Sequence, residues 1–128
     1  MEEGIIHRDI KPANILRVGN KWKLSDFGFA ARARLGFKDR VNVGTPLYMA
    51  PETLRRNYYS FKSDFYAIGI VLFEMVAGHT PHEALSEKEL LEKVVTDIPV
   101  PSVIKNAKLI EFFLRTTIVS DSKRLSKE

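Results

Sequence analysis

The chain has no cysteine. That excludes disulfides and thiolate metal sites, and it suits a reducing compartment. It also lacks a long apolar run. The longest stretch, Phe65 to Phe73 and on to Ala77 across Glu74, is too short to span a bilayer and reads as a buried core helix. No block of Lys and Arg is long enough to argue for nucleic acid, although 20 Lys and Arg against 16 Asp and Glu give a net charge of +4. Such an excess suits anionic partners such as phosphates or acidic protein surfaces, and reads most simply as a solvated basic surface. The opening Met1-Glu2-Glu3 is acidic, unlike a secretory leader. There are no internal repeats and no low-complexity segment. What remains is 128 residues of 45% hydrophobic composition. This is enough for one domain or part of a larger one, expected in the cytoplasm, with the nucleus as second candidate.

Turn chemistry places the elements. Asn14 to Val18 and Trp22 to Ser25 are strand candidates flanking Gly19-Asn20, a hairpin signal. From Ala30 to Thr45 no period stands out, and the stretch, punctuated by Gly36 and Gly44, reads as a basic loop. Pro51 to Asn57 suits a short helix with Pro in its first turn. Ser63-Asp64 is expected to cap a helix ending near Ala77, before Gly78 and Pro81. That helix is apolar nearly all round, so it should be buried from most sides, with Val71 and Met75 packed. Ser86 to Glu89 has capping-box spacing and opens a helix with Leu90, Leu91, Val94 and Val95 on one face. Asn106 should cap a last helix whose Leu109, Ile110, Phe113 and Leu114 are apolar. His79 and His82 read as ordinary loop residues.

One cluster carries chemistry. His7-Arg8-Asp9-Ile10-Lys11-Pro12-Ala13-Asn14 supplies an Asp, a Lys two residues later and an Asn five later. Asp26 follows the second hairpin strand, and a hairpin returns its ends to the same place. Asn14 and Asp26 could therefore share metal ions, and their oxygens suit Mg²⁺. Phosphoryl transfer needs such parts: metal across the phosphates, a group to orient the attacking hydroxyl, and charge neutralisation.

These residues resemble the eukaryotic-type protein kinases. H-R-D-x-x-x-x-N is His7 to Asn14, D-F-G is Asp26-Phe27-Gly28, and A-P-E is Ala50-Pro51-Glu52. Gly44-Thr45-Pro46-Leu47-Tyr48-Met49 and Ser63 to Gly69 extend the match over nearly the whole chain. The resemblance implies ATP and Mg²⁺ as cofactors and a protein substrate with a Ser or Thr acceptor. It implies that Asp9 accepts or orients the substrate hydroxyl's proton and that Lys11 steadies the phosphoryl group. Asn14 and Asp26 would hold Mg²⁺, and Leu16 would help form the adenine floor. Lys11 with Thr45 looks like the serine/threonine branch, and Phe29 after Gly28 looks like a preference for Ser acceptors. Asn57-Tyr58-Tyr59-Ser60 is similar to the ULK-like kinases. His7, Phe27 and Gly28 would be structural, with His7 and Phe27 in an internal hydrophobic spine. Asp64 would anchor the catalytic loop, and Glu52 would pair with Arg124. That last match departs from the family: Asp121-Ser122-Lys123-Arg124 is one residue short of D-P-x-x-R and has no Pro.

Three absences qualify the resemblance. No pair of glycines has G-x-G-x-x-G spacing, and no V-A-I-K lysine is present. Between Gly28 and Gly44 there is no Ser, Thr or Tyr, so Arg8, which in such kinases often binds an activation-loop phosphate, has no phosphosite there. Val41 stands about where the phosphosite would be, and Asp39 could lend Arg8 a fixed negative charge. Ala13 replaces the acidic residue of Arg-selective relatives. The expected fold is mainly α with a small β-hairpin: a protein-kinase-like C-terminal lobe over residues 1–128, incomplete, with the N-terminal lobe absent. A weakly active or inactive fragment is expected. The competing reading is a non-catalytic interaction module derived from such a lobe. Neither nucleic acid nor a transmembrane segment is expected.

Overall fold

The computed structural model describes residues 5–32, 37–38 and 45–125. The expectations attached to Asp39, Val41 and Gly44 lie outside them. Among the described residues there are four α-helices and three two-stranded antiparallel sheets, in keeping with a mainly α chain.

The central element is the 17-residue helix Phe61–Ala77. It is the second helix, α2, after the short α1, Pro51–Arg56. Its cap is Ser60, not the expected Ser63-Asp64. The Ser60 hydroxyl accepts from the Lys62 N–H, while Ser63 Oγ accepts from the Ser60 N–H. Ser63 is thus the return arm of a capping box, and the helix starts a turn early. Gly78, at φ +83°, ends it with its N–H donated to the Glu74 carbonyl, as Gly does where the chain must turn left-handed.

Tyr66 and Ile70 of α2 join Ala50, Ile98 and Phe113 in the main core cluster. Ala67 and Val71 meet Ile10 in a second. The third helix, α3, Glu87–Lys93, seats Leu90, with the capping Val94, against Met49 and Leu54. Ser86 caps α3 by accepting from the Glu89 N–H. Glu89 accepts from Leu85, one residue before the cap, instead of closing the box. Val95, expected on the buried face, is exposed because the helix has already ended.

The last helix, α4, Ala107–Thr117, crosses α2 very closely. A Cβ on Gly69 would lie 2.4 Å from Thr117 Cγ2 and 2.5 Å from Thr116 Oγ1, so only glycine fits. This crossing decides which residues of α4 are buried. Phe113, Thr116 and Thr117 are buried there, whereas Leu109 and Leu114 are exposed. The two threonines satisfy their hydroxyls on the Phe112 and Phe113 carbonyls. Met75 is corrected: it is 74% exposed and lines an open cleft with Pro12, Ile15, Trp22 and Val71. Only Val71 of that expected pair packs inside.

The hairpin is present: β2, Ile15–Val18, pairs with β3, Lys21–Leu24, around Gly19-Asn20, with Gly19 at φ +62°. The stretch expected to be a plain loop contains two further strands. Ala31–Arg32 (β4) pairs with Ile5–Ile6 (β1), and Phe37–Lys38 (β5) pairs with Tyr58–Tyr59 (β6). Two-residue strands leave no alternation to read in a sequence. They form because backbone donors and acceptors near a core need partners.

Candidate active site

The site is built from the loop that follows β1. Asp64, in the first turn of α2, reaches back to it: Oδ2 accepts from the His7 N–H at 2.7 Å and Oδ1 from the Arg8 N–H at 3.0 Å. Burial raises the Asp64 carboxyl above its usual range, while the two donated N–H groups pull the other way. Arg8 is held at φ +72°, a left-handed conformation that costs a non-glycine residue on the order of 1 kcal/mol or more. The strain sits where the chain must turn Asp9 away from Asp64.

His7 is fully buried and bridges two parts of the site. Its Nδ1 accepts from the Asp9 N–H at 3.1 Å, so its Nε2 is the donor to the Ser25 carbonyl at 2.9 Å. Phe27 packs edge-on against the His7 ring at 4.8 Å. His7 is thus wholly enclosed, whereas Phe27, expected to pack with it, remains half exposed.

Asp9 sits in a shared network. Thr45 Oγ1 donates to Asp9 Oδ1 at 2.9 Å and accepts from Lys11 Nζ at 3.1 Å. Lys11 Nζ lies 3.8 Å from Asp9 Oδ2. Asn14 Nδ2 donates to the Asp9 carbonyl at 2.8 Å and to Asp9 Oδ2 at 3.3 Å. The 3-10 turn Pro12–Asn14, with Pro in its first turn, points Asn14 back at Asp9. Four of the expected residues are therefore brought together: Asp9, Lys11, Asn14 and Thr45.

Asp26 is joined to this group through the hairpin. Ser25 donates its N–H to the Asn14 carbonyl at 2.8 Å, so Asp26 emerges beside Asn14. It is exposed, stands at φ +58°, and accepts the Gly28 N–H at 3.2 Å. Leu16, placed on β2, is exposed as well. The donor set fits a hard divalent cation. Asn14 spends its amide nitrogen on Asp9, which leaves the amide oxygen as acceptor, and Asp26, one residue after the Ser25 that bonds to the Asn14 main chain, offers an exposed carboxylate.

Glu52 and Arg124 pair as expected despite the shortened spacing. Arg124 Nη1 donates to Glu52 Oε2 at 2.7 Å and Nη2 to Oε1 at 3.1 Å, with both side chains buried. Arg124 also donates to the Lys62, Ile118 and Val119 carbonyls and stacks on Tyr66 at 5.0 Å. The 3-10 turn Asp121–Lys123 makes up for the missing residue and proline by aiming Arg124 inward.

Some contacts gave no signal in the sequence. Tyr48 donates to Glu74 at 2.5 Å; burial, then that bond and the Glu74 charge, push its phenol up to about 12. His82 is buried, not an ordinary loop residue, and its Nε2 lies 3.5 Å from Tyr66 Oη. Arg8 lies over the Tyr59 ring at 4.9 Å. Each is a long-range side-chain contact, with no local motif to mark it.

This loop, hairpin and buried ion pair carry the motifs that resemble a protein kinase, and the protein kinase domain model matches residues 1–127. The chain belongs to the protein kinase family, of the eukaryotic serine/threonine type. It is 35% identical to the serine/threonine-protein kinase ATG1c of Arabidopsis thaliana over 84% of this chain and 16% of that protein. It is 40% identical to ATG1 of Mycosarcoma maydis over 70% of this chain and 10% of that protein. With the serine/threonine-protein kinase shk1/pak1 of Schizosaccharomyces pombe it shares 38% identity over 84% of this chain and 19% of that protein. The chain thus spans less than a fifth of the length of these relatives.

Proposed function

We propose that the chain is the C-terminal-lobe core of a serine/threonine protein kinase, carrying the groups that orient a protein hydroxyl for attack on the γ-phosphoryl of Mg²⁺-ATP. The observation that supports this most is the network in which Asp9 shares Thr45 with Lys11 while Asn14 holds its other oxygen. Each Asp9 oxygen keeps a further lone pair, so the carboxylate can accept the substrate hydroxyl's proton. The Lys11 ammonium gives one proton to Thr45 and has others for a phosphoryl oxygen. Asn14 and Asp26 would hold Mg²⁺, which supplies charge neutralisation across the phosphates. Leu16 would meet the adenine. Asp64 fixes the loop by its main chain, so the geometry exists before substrate arrives. The protein would work in the cytoplasm or nucleus.

The second reading, a non-catalytic docking module, is favoured by the exposed Trp22 and Met75 beside the hairpin. Transfer from radiolabelled ATP to a Ser/Thr protein acceptor separates the two. The expected result is slow, Mg²⁺-dependent incorporation that Asp9→Asn lowers by about 10²- to 10⁴-fold. No incorporation by the unaltered chain, or the same rate with Asp9→Asn, would favour the docking module.

A further inference from the structure

Arg8 raises a question that the transfer chemistry does not answer. Its backbone is pinned by Asp64, yet its guanidinium also has definite partners. Nε donates to the Phe29 carbonyl at 2.6 Å, and the guanidinium carbon lies 4.9 Å from the centroid of the Tyr59 ring. Tyr59 is itself almost wholly buried. Its backbone pairs with Phe37 in the β5–β6 ladder, and the neighbouring Tyr58 carbonyl accepts from Thr53 Oγ1 at 2.7 Å. One guanidinium therefore touches the start of the segment that follows Asp26-Phe27-Gly28 and the strand on which the middle of that segment lies. Meanwhile no residue from Phe29 to Val43 carries a hydroxyl that could be phosphorylated.

We infer that Tyr59 is a positioning residue: with the Phe29 carbonyl it holds the Arg8 guanidinium and keeps residues 29–32 and the Phe37–Lys38 strand docked beside the catalytic loop without any phosphate. This rests on the kinase reading only in calling the stretch they belong to an activation segment. The physics is general. A guanidinium over a buried aromatic face gains from the ring quadrupole where water is excluded, and a charge-assisted hydrogen bond to a carbonyl is roughly twice as strong as a neutral one. Together they supply in the unmodified chain the tether that a phosphate would otherwise supply through Arg8. The strained φ of Arg8 fits this role, since a residue fixed at its main chain and at its guanidinium has little freedom to relax.

Trypsin tests the inference in the full chain, with no phosphotransfer read. An inactive protein would therefore sink the kinase reading and leave this result intact. Cleavage after Lys38 is followed by mass spectrometry under native conditions, at a temperature where thermal unfolding shows every variant folded. Arg8→Met keeps length and apolar contact but loses the charge and the donor, and cleavage should speed up about tenfold. Tyr59→Leu should do the same, and Tyr59→Phe, which keeps the ring, should restore the unaltered rate. Because Tyr59→Leu can also weaken the core, Arg8→Met decides. Inorganic phosphate should not slow cleavage of the unaltered chain. Unchanged cleavage in Arg8→Met, or protection by inorganic phosphate, would overturn the proposal: Arg8 would then be either no tether or one that waits for an anion.

Discussion

His7 and Asp9 are 0% and 6% exposed, whereas Leu16 and Phe27, further along the same site, are 47% and 51% exposed. The residues that would orient the acceptor hydroxyl sit in a buried, cross-braced frame. Asp64 grips the loop from α2, and Asn14 and Thr45 hold the Asp9 carboxylate. Asp26 and Leu16, which would meet metal and nucleotide, lie along an exposed hairpin edge, held mainly by local bonds such as Gly28 N–H to Asp26, while Asn14, the other proposed metal ligand, belongs to the buried frame. Orientation is built into the fold. Charge handling at the other half is left to what binds there. Substitutions on the two sides should therefore fail differently, the first in stability and the second in ligand response.

The largest stability loss should come from the buried Glu52–Arg124 pair. Arg124→Ala removes five donors from a fully enclosed site and leaves Glu52 buried without its partner. Breaking such a pair costs about 3–5 kcal/mol, because the remaining charge has neither water nor a counter-ion. Urea unfolding should show this as a large fall in midpoint. A change under about 1 kcal/mol would mean that the pair is not needed to hold the fold together. Replacing both partners with apolar residues of similar volume should recover much of the loss, since desolvation of the pair is then avoided.

Asp64→Asn probes the frame more gently, with an expected loss of about 2 kcal/mol. Two effects oppose one another. Burial holds the Asp64 carboxyl above its usual range, so removing the charge relieves a cost. The amide, however, has only one acceptor oxygen for two N–H donors, and its own NH₂ would face one of them. The unmet donor should win. Amide hydrogen exchange at His7 and Arg8 would report it directly, as faster exchange at one of the two. Equal protection at both would show that charge, not acceptor number, matters at this position.

The same division explains what could be read from the sequence. Asp9, Lys11, Asn14 and Asp26 were legible because their spacing along one loop and one hairpin is local, and a hairpin closes whatever surrounds it. Glu52–Arg124 was legible only in part. The residues were visible, but the shortened spacing could be judged only once the 3-10 turn at Asp121–Lys123 showed how Arg124 turns in. The start of α2 was misplaced by three residues because Ser60 and Ser63 are both good caps, and the choice depends on which hydroxyl meets which N–H. Tyr59 over Arg8, His82 beside Tyr66, and the threonines filling the space at Gly69 were not legible. They are set by packing between distant elements, which no local pattern encodes.

The smallest stability effect is expected at Asp26, where it says most about the exposed half. Asp26→Asn keeps an acceptor for the Gly28 N–H and a residue type that tolerates φ near +58°, so unfolding should shift by no more than about 0.5 kcal/mol. The charge it removes is the exposed one proposed to hold Mg²⁺ with Asn14. If that carboxylate holds Mg²⁺, adding Mg²⁺-ATP should raise the melting temperature of the unaltered chain and leave the variant unmoved, because a ligand stabilises only the state that binds it. A variant that responds like the unaltered chain would place the metal elsewhere. A variant that unfolds early would show that Asp26 belongs to the buried frame, and the contrast between the two halves would fail at the point where it is drawn most sharply.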